Sequence, residues 1–333
     1  MTLLLIYCKM YMFKKVMKSV SIVIPSYYNA MNIQETYEVI CKDVFAVCPD
    51  IHFEIVFVDD GSGDNTLAEL IRVQEKDPRV KVVKLSRNFG EFRAIVAGMS
   101  QASGDAIAVM SADLQDPPSL IPQMIRSWQQ GNLVNLAVRV KREESALKNW
   151  FADTYYKLVR KWVQPDYPKR GFDFFLIDRT VAEKLVFMQE KNSSIYVQLI
   201  WLGYKPTMIE YTRREREKGK SMWSYKKRID LFIDTFIVFS HKPIRFMTLL
   251  GLIFSLIGLG FAIYFIFDYF NNSIMPGWTS LIVALLLLSG FQMIMLGIIG
   301  EYVWRNLDES RKRPLYVIEK VIGEGLKHED ISE

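Results

Sequence analysis

The period of apolar and polar positions changes several times along the chain, and each change marks an element. Ser19 to Pro25, Phe53 to Val58, Val80 to Leu85 and Ala106 to Met110 are short apolar runs rich in β-branched residues. Such runs, bounded by turn residues, predict buried strands. Ile33 to Val47, Asn65 to Glu75 and Gly90 to Ala102 instead space their apolar residues at three and four, which predicts helices packed on one face. Strand alternating with helix predicts an α/β class, doubly wound and mostly parallel. In such sheets ligands lie beyond the carboxyl ends of the strands, so the polar residues after these runs are candidates for one shared site. No repeat or low-complexity segment interrupts the pattern.

The pattern changes again near the C-terminus. Phe246 to Phe267 and Trp278 to Gly300 are long and uncharged, and Gln292 is the only strongly polar side chain of the second run. A helix needs about 20 such residues to cross a bilayer, so two transmembrane helices are expected. The link from Asp268 to Gly277 has no Lys or Arg. Lys226, Lys227, Arg228, Lys242 and Arg245 precede the runs, and Arg305, Arg311, Lys312 and Arg313 follow. The positive-inside rule then places both termini in the cytoplasm and the link outside, a multi-pass protein of the inner membrane. In Ile229 to Ser240, Leu231, Phe232, Ile233, Phe236 and Phe239 gather on one helical face while Asp230 and Asp234 share another. That reads as an interfacial helix, with a core helix as the competing reading. The expected organisation is an extension at 1–18, an α/β domain at 19–228, an interfacial helix at 229–245, a two-helix membrane module at 246–300 and a tail at 301–333. Gly251, Gly258, Gly260, Gly290, Gly297 and Gly300 would allow close helix contact, and with it homo-oligomers.

Composition narrows the classes. The chain has 333 residues and a net charge of +5, too small to argue for a nucleic-acid partner. The basic residues cluster at 213–228 and 305–313, beside the apolar runs. Cys8, Cys41 and Cys48 have no metal spacing, and an odd count with no framework fits a reducing compartment. His52, His241 and His328 are scattered and form no ligand pair. Met1 to Phe13 is mildly apolar, but its positive charges follow the apolar stretch and no small-residue cleavage site is present. It reads as an extension rather than a signal peptide.

Chemistry concentrates after the strands. The first ends at Pro25-Ser26-Tyr27-Tyr28-Asn29, whose rings suit either a nucleobase or ordinary aromatic packing. The second ends at Asp59-Asp60-Gly61-Ser62, followed by Asp64 and Thr66. Asp64 and Thr66 suffice for a turn and a helix cap, so the adjacent carboxylates exceed what a cap requires and suit hydrogen bonds from a base or ribose. The fourth ends at Ser111-Ala112-Asp113-Leu114-Gln115-Asp116-Pro117-Pro118. In an extended segment Asp113 and Gln115 face the same side and offer the oxygen that Mg²⁺ or Mn²⁺ prefers. Asp116, before two prolines, serves equally as a helix cap. Arg213 to Trp223 supplies Arg213, Arg216, Gly219 and Ser221, which suit phosphate oxygens or a basic collar facing anionic headgroups.

Together these residues resemble the family-2 inverting glycosyltransferases of GT-A fold. Within that family the chain is similar to the bacterial polyprenyl-phosphate glycosyltransferases, relatives of dolichol-phosphate mannose synthase. Val20 to Asn29, Phe57 to Thr66, Leu85 to Gly98 and Ala108 to Pro118 carry the likeness. The run Ala112-Asp113-Leu114-Gln115-Asp116-Pro117-Pro118 and the pattern Arg-x-x-Arg-x-x-Gly-x-Ser-x-Trp from Arg213 are specific to the branch. The resemblance implies sugar transfer from a nucleotide sugar, by default UDP-glucose, to undecaprenyl phosphate at the cytoplasmic membrane face. It implies that Pro25, Tyr27, Asp59, Asp60 and Arg87 hold the nucleotide. Asp113 and Gln115 would hold a divalent metal, Mg²⁺ or Mn²⁺. Arg213, Arg216 and Ser221 would grip donor or acceptor phosphates. Asp113, with Asp116 in reserve, would act at the reacting centre.

Three departures stand out. Ser111 occupies the first position of the usual Asp-x-Asp. Ala30 and Met31 replace acidic residues, and Phe175 stands where many relatives have Arg. They keep two alternatives in view: a glycolipid or polysaccharide glycosyltransferase, and a catalytically degenerate membrane partner. The Gln-x-x-Arg-Trp of processive synthases is absent.

Overall fold

The computed structural model describes residues 18–140, 146–188, 190–191, 193–212, 247, 249–253, 256–260, 263–264 and 277–326. Eight strands form one mixed sheet in the order β7-β5-β6-β4-β1-β2-β3-β8. The first four are β1 (Ser19–Ser26), β2 (His52–Asp59), β3 (Val80–Leu85) and β4 (Ala106–Val109), linked by α1 (Ile33–Ile40), α2 (Thr66–Lys76) and α3 (Glu91–Gln101). A π-helical turn, Cys41–Phe45, continues α1. Then come α4 (Ile121–Gln129), β5 (Val134–Arg139), α5 (Ala146–Trp162), β6 (Phe174–Asp178), α6 (Arg179–Phe187), α7 (Ile195–Trp201) and β7 (Thr207–Tyr211). The last elements are α8 (Trp278–Ser310) and β8 (Ile318–Ile322).

Alternation along the strands builds a core on each face of the sheet. On β1, Val20, Ile22 and Ile24 join β2's Phe53, Ile55 and Phe57 against Ile33 and Ile40 of α1 and Leu70 of α2. Val23, Val56 and Val58 point the other way, toward Ala94, Ile95 and Ala97 of α3. Gly98 explains how closely α3 approaches. A Cβ there would lie 2.4 Å from Val23 Cγ1 and 2.8 Å from Val58 Cγ2.

The pairings β1–β2, β1–β4, β2–β3 and β5–β7 are parallel, whereas β3–β8, β4–β6 and β5–β6 are antiparallel. The sheet is therefore more mixed than the alternation of the first half implies. The reversed strands come from the second half, where strand and helix cease to alternate.

The far edge is closed by the chain's own tail. β8 lies on β3, Lys84 Nζ is 2.7 Å from Glu319 Oε1, and the Ser86 N–H donates to Val317 O at 3.0 Å. Beneath this edge Glu54 is fully buried. Its Oε1 accepts from Ser21 Oγ at 2.5 Å and from the Ser103 N–H, and its Oε2 accepts from the Leu326 N–H at 3.1 Å. Lys81 Nζ lies 3.6 Å away and balances the charge.

Among the described residues, no helix is long and apolar enough to cross a membrane. This overturns the expected pair of transmembrane helices and the multi-pass placement in an inner membrane. The second apolar run does not stop at Gly300 as a separate span. It continues as α8 through Glu301, Arg305, Asp308 and Glu309, and Lys191 bonds the last turns to the sheet domain. Of the first run only short helical stretches, such as 249–253 and 256–260, are described. The expected interfacial helix at 229–245 lies outside the described residues, as do Arg213, Arg216 and Ser221.

Candidate active site

The carboxyl ends of β1, β2, β3 and β4 converge because their parallel register aligns them. Ser26 pairs with Asp59, and Ser26 O accepts from the Asp60 N–H at 3.0 Å. Asp59 is 1% exposed. Its Oδ1 accepts from the Ser62 N–H at 3.1 Å, while its buried Oδ2 meets no hydrogen-bond donor among the described residues. Burial pushes the Asp59 carboxyl above its ordinary range, and bonding to Ser62 opposes it.

Asp60 has a different environment. Its Oδ1 accepts from the Phe89 N–H at 2.7 Å and its Oδ2 from the Gly90 N–H at 2.9 Å. Burial still raises its pKa, against these two bonds. The Ser86-to-Gly90 loop is thus pinned to the end of β2. Gly61 makes the approach possible, with φ at +69° and room for no Cβ: the added atom would sit 2.4 Å from the Arg87 carbonyl carbon. Arg87 is exposed, its guanidinium 4.1 Å from the centroid of the Phe89 ring.

Tyr27 follows β1, its ring edge-on to Tyr28 at 4.6 Å. Its phenol is raised in pKa, by burial first and then by Tyr28 and Asp60. Tyr28 adopts φ +54° and is half exposed, and its N–H donates to Ser62 Oγ at 3.2 Å. Pro25 is partly exposed at the strand end. The expected nucleotide-binding residues Pro25, Tyr27, Asp59, Asp60 and Arg87 therefore all lie at the carboxyl ends of three adjacent strands.

The β4 end is polar and tightly turned. Asp113 Oδ1 accepts from Ser111 Oγ at 2.7 Å and from the Gln115 N–H at 3.2 Å, and Leu114 between them has φ +55°. The oxygen donors suit a hard divalent cation. They are few: among the described residues no three His, Cys, Asp or Glu side chains come together to hold a metal. One carboxylate and neutral oxygens fit only a site completed by a ligand's own phosphates. Asp116 is fully buried rather than a solvent-exposed cap. Its Oδ1 accepts from Tyr211 OH, Arg139 Nε donates to the same phenol at 3.4 Å, and Arg139 also pairs with Asp173. Burial and the Asp116 charge raise the Tyr211 pKa.

The sequence profile described as glycosyl transferase family 2 matches residues 21–186. The protein is 42% identical over 307 residues to the uncharacterized glycosyltransferase YkcC of Bacillus subtilis, a match that spans 91% of this chain and 94% of that one. The chain belongs to glycosyl transferase family 2. It is 36% identical to the prophage bactoprenol glucosyl transferase homolog of Escherichia coli, across 91% of this chain and 99% of that protein. It is also 36% identical to the bactoprenol glucosyl transferase of Shigella phage SfV, across 90% and 97%. This family-2 protein is a glycosyltransferase, and its sheet is of mixed α/β type.

Several residues that this glycosyltransferase's fold brings to the candidate site, or links to it, carry no role in the sequence reading. Arg139 and Tyr211 end β5 and β7, which pair in parallel with Arg139 opposite Tyr211. The signal that could have found them is a polar residue closing each apolar run, the same signal that marks Asp59. Arg93 and Lys191 carry no such mark.

Proposed function

We propose that this glycosyltransferase moves a sugar from a nucleotide sugar, UDP-glucose before others, to the phosphate of a polyprenyl carrier, undecaprenyl phosphate, inverting the anomeric carbon. The observation that carries the reading is the buried Oδ2 of Asp59 at a strand end, which meets no hydrogen-bond donor among the described residues. A buried acceptor without a donor is costly unless a ligand supplies one. The imide N–H of a uracil is such a donor, with Tyr27 and Pro25 beside the base and Asp60 and Arg87 toward the ribose and phosphates. The bactoprenol named for the relatives supports the lipid acceptor.

The chemistry asks little of a general base, because the acceptor phosphate is already anionic. One of its oxygens bonds to the anomeric carbon as the bond from that carbon to the diphosphate oxygen breaks. The nucleoside diphosphate leaves with the electron pair. The protein's share is positioning and charge neutralisation. Asp113 and Gln115 would hold Mg²⁺ or Mn²⁺, which when bound offsets the charge on the leaving diphosphate. Arg213, Arg216 and Ser221 would grip the phosphates, and Asp116, held by Tyr211, is a reserve candidate at the reacting centre.

The test incubates the protein with labelled UDP-sugars or GDP-mannose, Mg²⁺ and undecaprenyl phosphate, then extracts the lipid. Mild-acid-labile label in a monophosphate lipid is the expected result. Label only in polymer or other glycolipid, or no turnover from folded protein with any donor, overturns the proposal.

A further inference from the structure

We propose that Arg93 is a positioning residue for the donor pocket and that Lys191 ties it to the end of α8, so that the C-terminal helix sets how firmly the Phe89–Gly90 loop is held. The inference rests on the donor-site reading above and adds a control element to it.

The connection is continuous. Asp60 receives the Phe89 and Gly90 N–H groups. On the other side of the same loop, Arg93 Nη1 donates to Phe89 O at 2.9 Å. Its Nη2 donates to Lys191 O at 2.6 Å, reaching a residue 98 positions away. The planar guanidinium thus brackets two carbonyls, a geometry that the single ammonium of lysine cannot reproduce. Lys191 passes the constraint on. Its N–H donates to Glu309 Oε1 at 3.1 Å, and its Nζ donates to Asp308 O and lies 3.8 Å from Asp308 Oδ1. Lys191 is partly buried, with a side chain 9% exposed.

A second tie runs from the same end of the chain. The segment after α8 reaches the start of the loop, where Val317 O accepts from the Ser86 N–H. Gly90 sits at φ +96°, a conformation in which glycine imposes little backbone preference of its own, so external ties decide where its amides point. The donor pocket's third strand end is therefore held from both sides by residues 308–319.

A strut that only stabilised the fold would change the unfolding midpoint and leave ligand affinity alone. The experiment uses the full chain, with UDP as the calorimetric probe and amide exchange of the 86–92 segment measured without nucleotide. Arg93→Met keeps an unbranched apolar stem as far as the Nε position and removes both donors. It is expected to weaken UDP binding about tenfold, the cost of roughly one net hydrogen bond, and to speed exchange at Phe89 and Gly90. Arg93→Lys should recover part of both losses. Glu309→Ala, far from the nucleotide in sequence, should shift both in the same direction by about threefold, and it serves if Arg93→Met fails to fold. Steady-state kinetics should show raised donor KM with kcat little changed. Unchanged UDP affinity and unchanged exchange in a folded Arg93→Met or Glu309→Ala protein overturn the proposal, as does a loss of thermal stability alone. If the wild-type chain binds neither UDP nor GDP, the donor-site reading fails, and the exchange comparison still decides whether α8 holds the loop.

Discussion

Replacing Asp60 by Asn isolates the bond pattern at the centre of the site. The carboxylate accepts two backbone N–H groups, at 2.7 and 2.9 Å, one on each oxygen. An amide keeps one acceptor oxygen and turns an NH₂ toward the other N–H, so a donor faces a donor. The loss is one charge-assisted bond, about 1.5–3 kcal/mol, together with a poorly satisfied N–H. Part is offset, because a neutral amide escapes the burial that raises the Asp60 pKa. The net expectation is a destabilisation of about 1–3 kcal/mol at pH 7. Urea unfolding followed by circular dichroism measures it, with the slope against urea as a check that the same surface unfolds. UDP binding should weaken in parallel, since the Phe89–Gly90 loop loses its anchor. A change under about 0.5 kcal/mol at equal slope would show that the two N–H bonds do not hold the loop.

Other expectations follow from the same geometry. Gly98→Ala should destabilise by up to about 3 kcal/mol: overpacking against Val23 and Val58 costs about 1–3 and a helix-propensity gain of up to about 1 opposes it. A more stable Gly98→Ala protein in thermal melts would show that the helix shifts freely. Burial raises Asp59 in the folded state, so the fold binds that proton more tightly than the unfolded chain does. Stability then falls as pH rises from the ordinary value of 3.8 through the folded one, and Asp59→Asn should flatten its share of that slope in urea titrations carried upward from the ordinary value. Tyr211→Phe removes a donor from the buried Asp116 and should cost about 1–3 kcal/mol in thermal or urea unfolding. Asp113→Ala should abolish metal-dependent turnover in the lipid-extraction assay, and wild-type rates in that variant would count against Asp113 as the metal ligand.

Much of the first half of the sheet was legible because its signals are local. The apolar run Val80 to Leu85 predicts the third strand and forms it, and Asp59-Asp60-Gly61 stands out as carboxylates directly after a β-branched run. What was not legible depends on partners distant in sequence. Tyr211 finds Asp116 across 95 positions, and Lys84 finds Glu319 across 235. No periodicity near either residue encodes the other. The reversal of β6 and the addition of β8 belong to the same class. The membrane reading failed for a related reason. A run of apolar letters reports local composition, whereas the fate of Trp278 to Gly300 depends on its continuation into charged turns that bond to Lys191.

Glu54 gives the segment that ends at Leu326 an unexpected leverage. Because the Leu326 amide completes the coordination of a charge sealed beneath the sheet, a product cut short at Glu324 would lack that amide although every strand and every pocket residue had been made. Late nonsense mutations should thus behave as folding lesions rather than harmless trims. Affinity handles fused to this end would need a spacer that leaves the final clasp undisturbed.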